Sequence, residues 1–305
     1  MVGATMKDVR TRSISFGFFV LFFSFIVVSC ASMSSSIGSS DDAIQTDHYH
    51  FYASKTVPFL NRHWPRNVPR GWKPNEMMVG ETVIELDDIW KFLDEYLEGN
   101  MPQTIKFYIS HEGIASTAVR GKEIILVSAI HYRNKNIDDI LDRVAHESCH
   151  LGLYHMSKGK IIESQNKFID EAIAFYAGHK YAGRIDWLNE TSDKIAREDL
   201  KAGRASMEYL REWQNNVREE QKKWIRTWKK TNPHKTPVIK DFMEGPYRTY
   251  WTAYNFSKYF KEKYGNAKLL EVVKSMGDSD ISVSFPKIVG QSLDDFVSEW
   301  HASLK

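Results

Sequence analysis

The chain has 305 residues, and 41 basic against 39 acidic side chains leave a formal net charge of +2. A balance so close to neutral gives no overall field to attract a polyanion, so we expect no nucleic-acid partner. The two cysteines exclude a fold stapled by several disulfides, and the length suits one sizeable domain or two small lobes.

The N-terminus is predicted to direct export. Basic residues between Lys7 and Arg12 precede a short, apolar, phenylalanine-rich run that is typical of a signal-peptide core. The segment Val-Val-Ser-Cys30 that follows resembles a bacterial lipobox, in which the cysteine is lipidated and becomes the new N-terminus. We therefore expect a signal peptide over residues 1–30 and a membrane-anchored lipoprotein of the cell envelope. Cleavage near Ala31, which would give a secreted protein, and an uncleaved anchor are the alternatives.

Residues 31–47 are polar and rich in serine, and we expect them to form a flexible tether. Beyond the tether, the pattern predicts an α+β domain over residues 48–305. Apolar residues at helical spacing predict a helix over residues 82–98, and alternation predicts a strand over residues 104–110. Two further apolar runs predict a β-hairpin that turns at Arg120-Gly121.

The most informative segment is HESCH, an H-E-x-x-H motif. Two histidines four residues apart lie on one face of a helix and can bind one metal ion, with the glutamate beside the ion's open position. Asn136 as N-cap, Gly152 as a stop signal and the lack of Pro and Gly between them predict that helix. We expect one zinc ion per chain, bound by His146 and His150, with Glu147 as the general base for a water molecule.

A catalytic zinc site needs a third protein ligand and an open fourth position. The candidate is Glu171, because the apolar residues around it have helical spacing and a helix about twenty residues downstream can face the first. Its neighbour Asp170 is a weaker candidate ligand that could instead hold a ligand histidine in place. His155 is the rival third ligand, although Gly152 and His155 each come one residue early for the longer H-E-x-x-H-x-x-G-x-x-H pattern. Cys149 is expected to be a packed thiol.

Together, the HESCH and FIDEAIAFY segments resemble the gluzincin metallopeptidases, and most of all their short peptidase-MA-like members. In that family an H-E-x-x-H helix is followed by a helix of the W-L-x-E-G-x-A-x-Y type, which supplies a glutamate ligand. Phe168 and Ala172 replace the family's tryptophan and glycine, while Glu171 is in register. The resemblance implies a gluzincin-like α+β fold, with a small mixed sheet and the metal helix over residues 48–160 and a mainly α-helical lobe over residues 161–305. It also implies zinc-dependent hydrolysis of a peptide or protein substrate.

Two further site features are implied by the same resemblance. The segment YWTAYNFSKYF aligns Tyr250 with the family tyrosine that donates a hydrogen bond to the developing oxyanion, and Tyr247 and Tyr254 are the alternatives. In the family, an edge strand before the metal helix binds the substrate backbone, and Glu123–Ser128 is the candidate for that strand. An ordinary core strand is the alternative interpretation of this segment.

Residues 194–230 are predicted to form one long helix inserted into the helical lobe. We expect its tryptophans to pack against that lobe. Its basic end, KKWIRTWKK, suggests a membrane-surface or nucleic-acid contact as the alternative.

Two other functions are alternatives to the peptidase. The chain could be a surface-anchored binding lipoprotein that keeps the gluzincin fold without turnover, although a binder needs no acid at Glu147. It could also be a metzincin-like enzyme that uses His155 and leaves Glu171 dispensable. The sequence indicates neither the substrate nor the choice between endopeptidase and exopeptidase.

Overall fold

The computed structural model describes residues 43–52, 76–110, 116–134, 136–163, 165–231 and 248–305. The proposed signal peptide, Cys30 and Tyr247 lie outside these residues, so what was predicted for them stays a prediction. Within the described ranges, no helix is both long enough and apolar enough to cross a membrane.

A mixed sheet and a larger set of helices confirm the predicted α+β class. The strands are β1 (Ile44–Gln45), β2 (Tyr49–Tyr52), β3 (Ile105–Ser110), β4 (Thr117–Val119) and β5 (Ile124–Ser128). Their order in the sheet is β1-β2-β3-β5-β4, with β2, β3 and β5 parallel and the two outer strands antiparallel to their neighbours. A turn at Gly121, where φ is +74°, joins β4 to β5 and confirms the predicted β-hairpin.

The first strand shortens the expected tether. Ile44 pairs with Phe51 in the sheet, and the Thr46 hydroxyl donates a hydrogen bond to Asp87 Oδ1 at 2.7 Å. Residues 44–47 therefore belong to the folded domain. A strand of two residues is too short to show the alternation by which strands are recognised in a sequence.

The helices of the described chain are α1 (Glu76–Tyr96), α2 (Ala129–Asn134), α3 (Ile137–Met156), α4 (Lys167–Tyr181), α5 (Ile185–Lys201), α6 (Met207–Arg211), α7 (Trp213–Thr231), α8 (Arg248–Tyr264), α9 (Asn266–Ser275), α10 (Ile281–Val289) and α11 (Leu293–Ser303).

Helix α3 is the central element of the fold, because it packs against α1, β5 and α4. Asn136 caps its N-terminus by accepting a hydrogen bond from the Asp138 amide at 3.2 Å, as predicted. The predicted stop at Gly152 is wrong, since the helix continues to Met156. Gly152 is needed for packing instead: a Cβ there would lie only 2.5 Å from Leu97 Cδ1.

The single long helix predicted over residues 194–230 is wrong. The chain forms α5, α6 and α7 there, with a break in which Gly203 has a φ of +71°. The Ser206 hydroxyl then starts α6 by accepting a hydrogen bond from the Tyr209 amide at 3.1 Å. The sequence pattern did not reveal this break, because charged residues continue at helical spacing on both sides of it.

The strand predicted to bind substrate, Glu123–Ser128, is not at the edge of the sheet. Strand β5 lies between β3 and β4, and all five of its residues are buried. Its apolar run IILVS is typical of a strand covered on both faces. The edge strand on this side is β4, which contacts α3.

Candidate metal centre

The predicted metal ligands meet where α3 packs against α4. His146 and His150 lie one turn apart on α3, and Glu171 lies near the start of α4. Nε2 of each histidine is 3.6 Å from Oε2 of Glu171, and the three side chains are at most 9 % exposed. Atoms bound to a tetrahedral zinc ion at about 2.0–2.1 Å are roughly 3.4 Å apart, so both nitrogen–oxygen distances are close to those of a zinc site.

Glu147 lies beside this group. Its side chain is buried, and its carboxylate and the ring nitrogens of His146 and His150 all lie within 4.8 Å of one another. A carboxylate at that distance can share a water molecule with a metal ion that the two histidines bind. This is the position that a general base requires.

Asp170 contacts His150 at Nδ1, whereas Nε2 is the ring nitrogen next to Glu171. Nδ1 of His150 lies 2.7 Å from Oδ1 of the fully buried Asp170. Because an ionised carboxylate only accepts hydrogen bonds, this contact keeps a proton on Nδ1 and leaves the Nε2 lone pair for a metal ion. Asp170 therefore contacts a histidine of the motif, whereas the role of that histidine as a metal ligand stays a prediction.

Two cations that the sequence analysis did not single out bind the carboxylates of this group. Nζ of Lys167 lies 2.6 Å from Asp170 Oδ2 and 2.8 Å from Glu171 Oε1. Nη2 of Arg120 lies 2.6 Å from Asp170 Oδ2. Lys167 precedes Glu171 by four residues, so helical spacing was the signal that could have revealed it. Arg120 follows the edge strand, and only the fold brings it to Asp170.

These contacts determine the charge of the site. Burial by itself raises the pKa of Asp170, but Arg120, His150 and Lys167 hold that pKa well below its ordinary value. Burial likewise opposes ionisation of Glu171, whereas Lys167 and His150 hold its pKa well below the ordinary value. Both carboxyls are therefore anionic near neutral pH, as metal binding requires.

Helices α3 and α4 approach each other closely next to His146. A Cβ at Gly178 of α4 would lie 2.6 Å from both the backbone oxygen and Oδ1 of Asp142, and 3.2 Å from Cβ of His146. Asp142 is itself buried, with His179 Nδ1 3.6 Å from its Oδ2. Burial opposes ionisation of Asp142, but Arg143 and His179 lower its pKa below the ordinary value. Gly178 is thus the residue that lets α4 pack closely against α3 beside the candidate ligand His146.

Tyr250 lies beside α4, and on α3 Arg143 precedes Glu147 by one turn. Burial lowers the pKa of Arg143, but Asp142, Glu147 and Tyr250 raise it above its ordinary value. Tyr250 is half-buried, and its ring centroid is 6.2 Å from that of Phe175.

Tyr254, an alternative to Tyr250, also lies beside Phe175, with ring centroids 6.4 Å apart, but its hydroxyl is bound elsewhere. Its hydroxyl donates a hydrogen bond to Asn189 Oδ1 of α5 at 2.7 Å, and its ring stacks on Tyr176. Burial raises the pKa of Tyr254 above its ordinary value. Of the two tyrosines that the structure describes, Tyr250 is therefore the better candidate for the site.

The rival ligand His155 does not join the group. Its Nε2 lies 3.1 Å from Glu123 Oε1, in a pair whose side chains are 43 % and 34 % exposed. Cys149 is a fully buried free thiol, as predicted, and burial raises its pKa well above the ordinary value. Neither residue belongs to the groups of side chains on α3 and α4 that could bind a metal ion.

No protein-family model, no curated protein and no solved structure matches this chain. We therefore infer a function from the two short motifs and from the geometry of the side chains around them.

Proposed function

We propose that this protein is a zinc-dependent metallopeptidase that hydrolyses bonds in a peptide or protein substrate. The observation that carries the proposal is the convergence of His146, His150 and Glu171 beside a second buried acid, Glu147. Structural zinc sites are closed by four protein ligands, whereas three ligands and a neighbouring acid make up a hydrolytic site. With this activity we propose export and membrane anchoring through a lipid on Cys30.

Each residue has a separate role in the proposed reaction. A zinc ion bound here supplies a Lewis acid that acidifies water and polarises a carbonyl group. Glu147 accepts a proton from the attacking water and then donates it to the leaving amine. Tyr250 donates a hydrogen bond to the carbonyl oxygen as negative charge develops on it. Asp170 keeps the proton on His150 Nδ1 throughout.

The edge strand β4 supports a peptide as the substrate. Thr117–Val119 pairs with β5 on one side, and no other strand of the described residues pairs with its outer side. An extended peptide can add to such an edge through main-chain hydrogen bonds. Arg120 follows β4 directly and binds Asp170, so the edge strand ends next to the metal ligands.

The substitution Glu147→Gln tests the proposal. We expect unchanged zinc content and a kcat lower by roughly 10²- to 10⁴-fold, because the general base is lost while the ligands stay. Glu219→Gln on α7 is the control, since Glu219 lies far outside the motif in an exposed pair with Lys222. Hydrolysis of a quenched-fluorescent peptide library measures the activity of each protein.

Two outcomes would count against the proposal. Full activity in Glu147→Gln would contradict the role of this residue. A zinc-loaded wild-type protein that cleaves no peptide in the library would favour the non-catalytic binding lipoprotein instead.

A further inference from the structure

Lys167 is the first residue of α4, and its ammonium group is directed inward. The side chain is only 10 % exposed, although lysines are seldom buried unless they are paired. Nζ lies 2.6 Å from Asp170 Oδ2 and 2.8 Å from Glu171 Oε1. One ammonium group therefore binds both of the carboxylates that lie against the ligand histidines.

This contact gives the two oxygens of Glu171 different partners. Oε1 bonds to Lys167, whereas Oε2 has Nε2 of His146 and Nε2 of His150 each at 3.6 Å. The last torsion of a glutamate side chain is soft, so a carboxylate without such a cation can turn and offer both oxygens to a metal ion. With Lys167 in place, one oxygen of Glu171 is left for the metal.

Neutralising Asp170 does not explain the position of Lys167. Asp170 already has Nη2 of Arg120 at 2.6 Å and Nδ1 of His150 at 2.7 Å. What Lys167 adds is the bond to Glu171 Oε1, a contact in which Arg120 has no part. The contact to Asp170 in turn holds the ammonium group in place for Glu171.

We propose that Lys167 is a positioning residue that makes Glu171 a one-oxygen metal ligand. The inference rests on the proposed zinc site and concerns how that site is coordinated. Lys167 acts through Glu171, so its loss changes the coordination and the affinity of the metal ion. An ordinary helix ion pair would change the stability of the fold and leave both of these properties as they are.

The test compares Lys167→Met with Lys258→Met in the full chain. Methionine keeps an unbranched apolar stem and removes the ammonium group. Lys258 is a matched control, because it is 18 % exposed and its Nζ binds both oxygens of Asp193, at 2.8 and 3.0 Å. In competition with a chelator, we expect the zinc affinity of Lys167→Met to differ from that of the wild type by about 10- to 100-fold, and Lys258→Met to bind as the wild type does. An unchanged affinity in Lys167→Met overturns the proposal.

Cobalt(II) in place of zinc reports the coordination directly. Its visible absorption weakens as the coordination number rises, and geometry of this kind distinguishes metal sites. In Lys167→Met we expect weaker absorption per bound cobalt than in the wild type, because Glu171 then supplies both oxygens. Identical spectra at full cobalt occupancy overturn the proposal.

X-ray absorption of the zinc-loaded wild-type chain gives a test that needs no folded variant. We expect a carboxylate bound through one oxygen, and a two-oxygen carboxylate overturns the role of Lys167. This measurement distinguishes a failure of the proposed function from a failure of the role of Lys167. A wild-type chain that binds no zinc contradicts the proposed function, whereas zinc held by a two-oxygen Glu171 contradicts only this inference.

Discussion

At the scale of single residues, the chemistry depends on which neighbour each side chain meets. Glu147 and Glu171 are both buried acids beside the same histidines, yet Glu171 has one oxygen bound to Lys167 and is the one proposed as a ligand. Tyr250 and Tyr254 lie one turn apart on α8 and both lie beside Phe175, but the Tyr254 hydroxyl donates its hydrogen bond to Asn189. Residue type and spacing identify both residues of such a pair as candidates. Only their contacts show which of the two can take a given role.

Removal of the Tyr250 hydroxyl is expected to affect the reaction and not the metal. We expect Tyr250→Phe to lower kcat by roughly 10²-fold at unchanged zinc content, because one hydrogen-bond donor to the developing oxyanion is lost. Tyr254→Phe is the matched control, since its hydroxyl donates to Asn189. We expect that variant to lose about 1 kcal/mol of unfolding free energy and to keep its kcat. Equal kcat in Tyr250→Phe and wild type would assign Tyr250 to packing.

At the scale of elements, the sequence predicted the helices that carry the site better than their surroundings. The H-E-x-x-H spacing and the Asn136 cap predicted the start of α3, because both depend on residues close in the chain. The end of that helix was missed, since Gly152 is set by its distance to Leu97 and not by a stop signal. The edge position of β4 was missed for the same reason: strand order depends on contacts between distant segments.

Gly178 tests how closely α3 and α4 must approach each other. In Gly178→Ala the new Cβ would lie 2.6 Å from the backbone oxygen of Asp142, which cannot move without α3. We expect a loss of about 1–3 kcal/mol of unfolding free energy and weaker zinc binding, since His146 lies at the same contact. Gly80→Ala is the control, because nothing lies within 4 Å of a Cβ there in α1. Alanine should stabilise that helix by up to about 1 kcal/mol.

Urea unfolding measures both glycine variants. If Gly178→Ala were as stable as Gly80→Ala and bound zinc as the wild type does, the close helix contact would not support the metal site.

At the scale of the whole molecule, stability should depend on pH through a buried histidine. Burial lowers the pKa of His179 to about 4, from an ordinary value of 6.5. Between these pH values the unfolded chain binds a proton that the folded chain does not. The contribution of His179 to the unfolding free energy is therefore complete above pH 6.5. It is lost as the pH falls towards 4, by at most about 3 kcal/mol. His150, whose pKa is raised by Asp170 and Glu171 against the effect of burial, acts in the opposite direction in the metal-free protein.

The variant His179→Gln separates the effect of His179 on stability from that of His150. We expect the unfolding free energy of the metal-free variant to fall less steeply than that of the wild type between pH 6.5 and 4. Urea unfolding at several pH values measures the two slopes, and parallel curves would contradict a neutral, buried His179.

The candidate metal site lies between the two expected parts of the molecule, because α3 precedes residue 160 and α4 follows it. The most direct test of the account is the zinc content of the purified protein, of Glu171→Ala and of His155→Ala. We expect one zinc ion per chain in the wild type and in His155→Ala, and a large loss of zinc in Glu171→Ala. A wild type without zinc, or a Glu171→Ala variant that keeps its full zinc content, would rule out the proposed site.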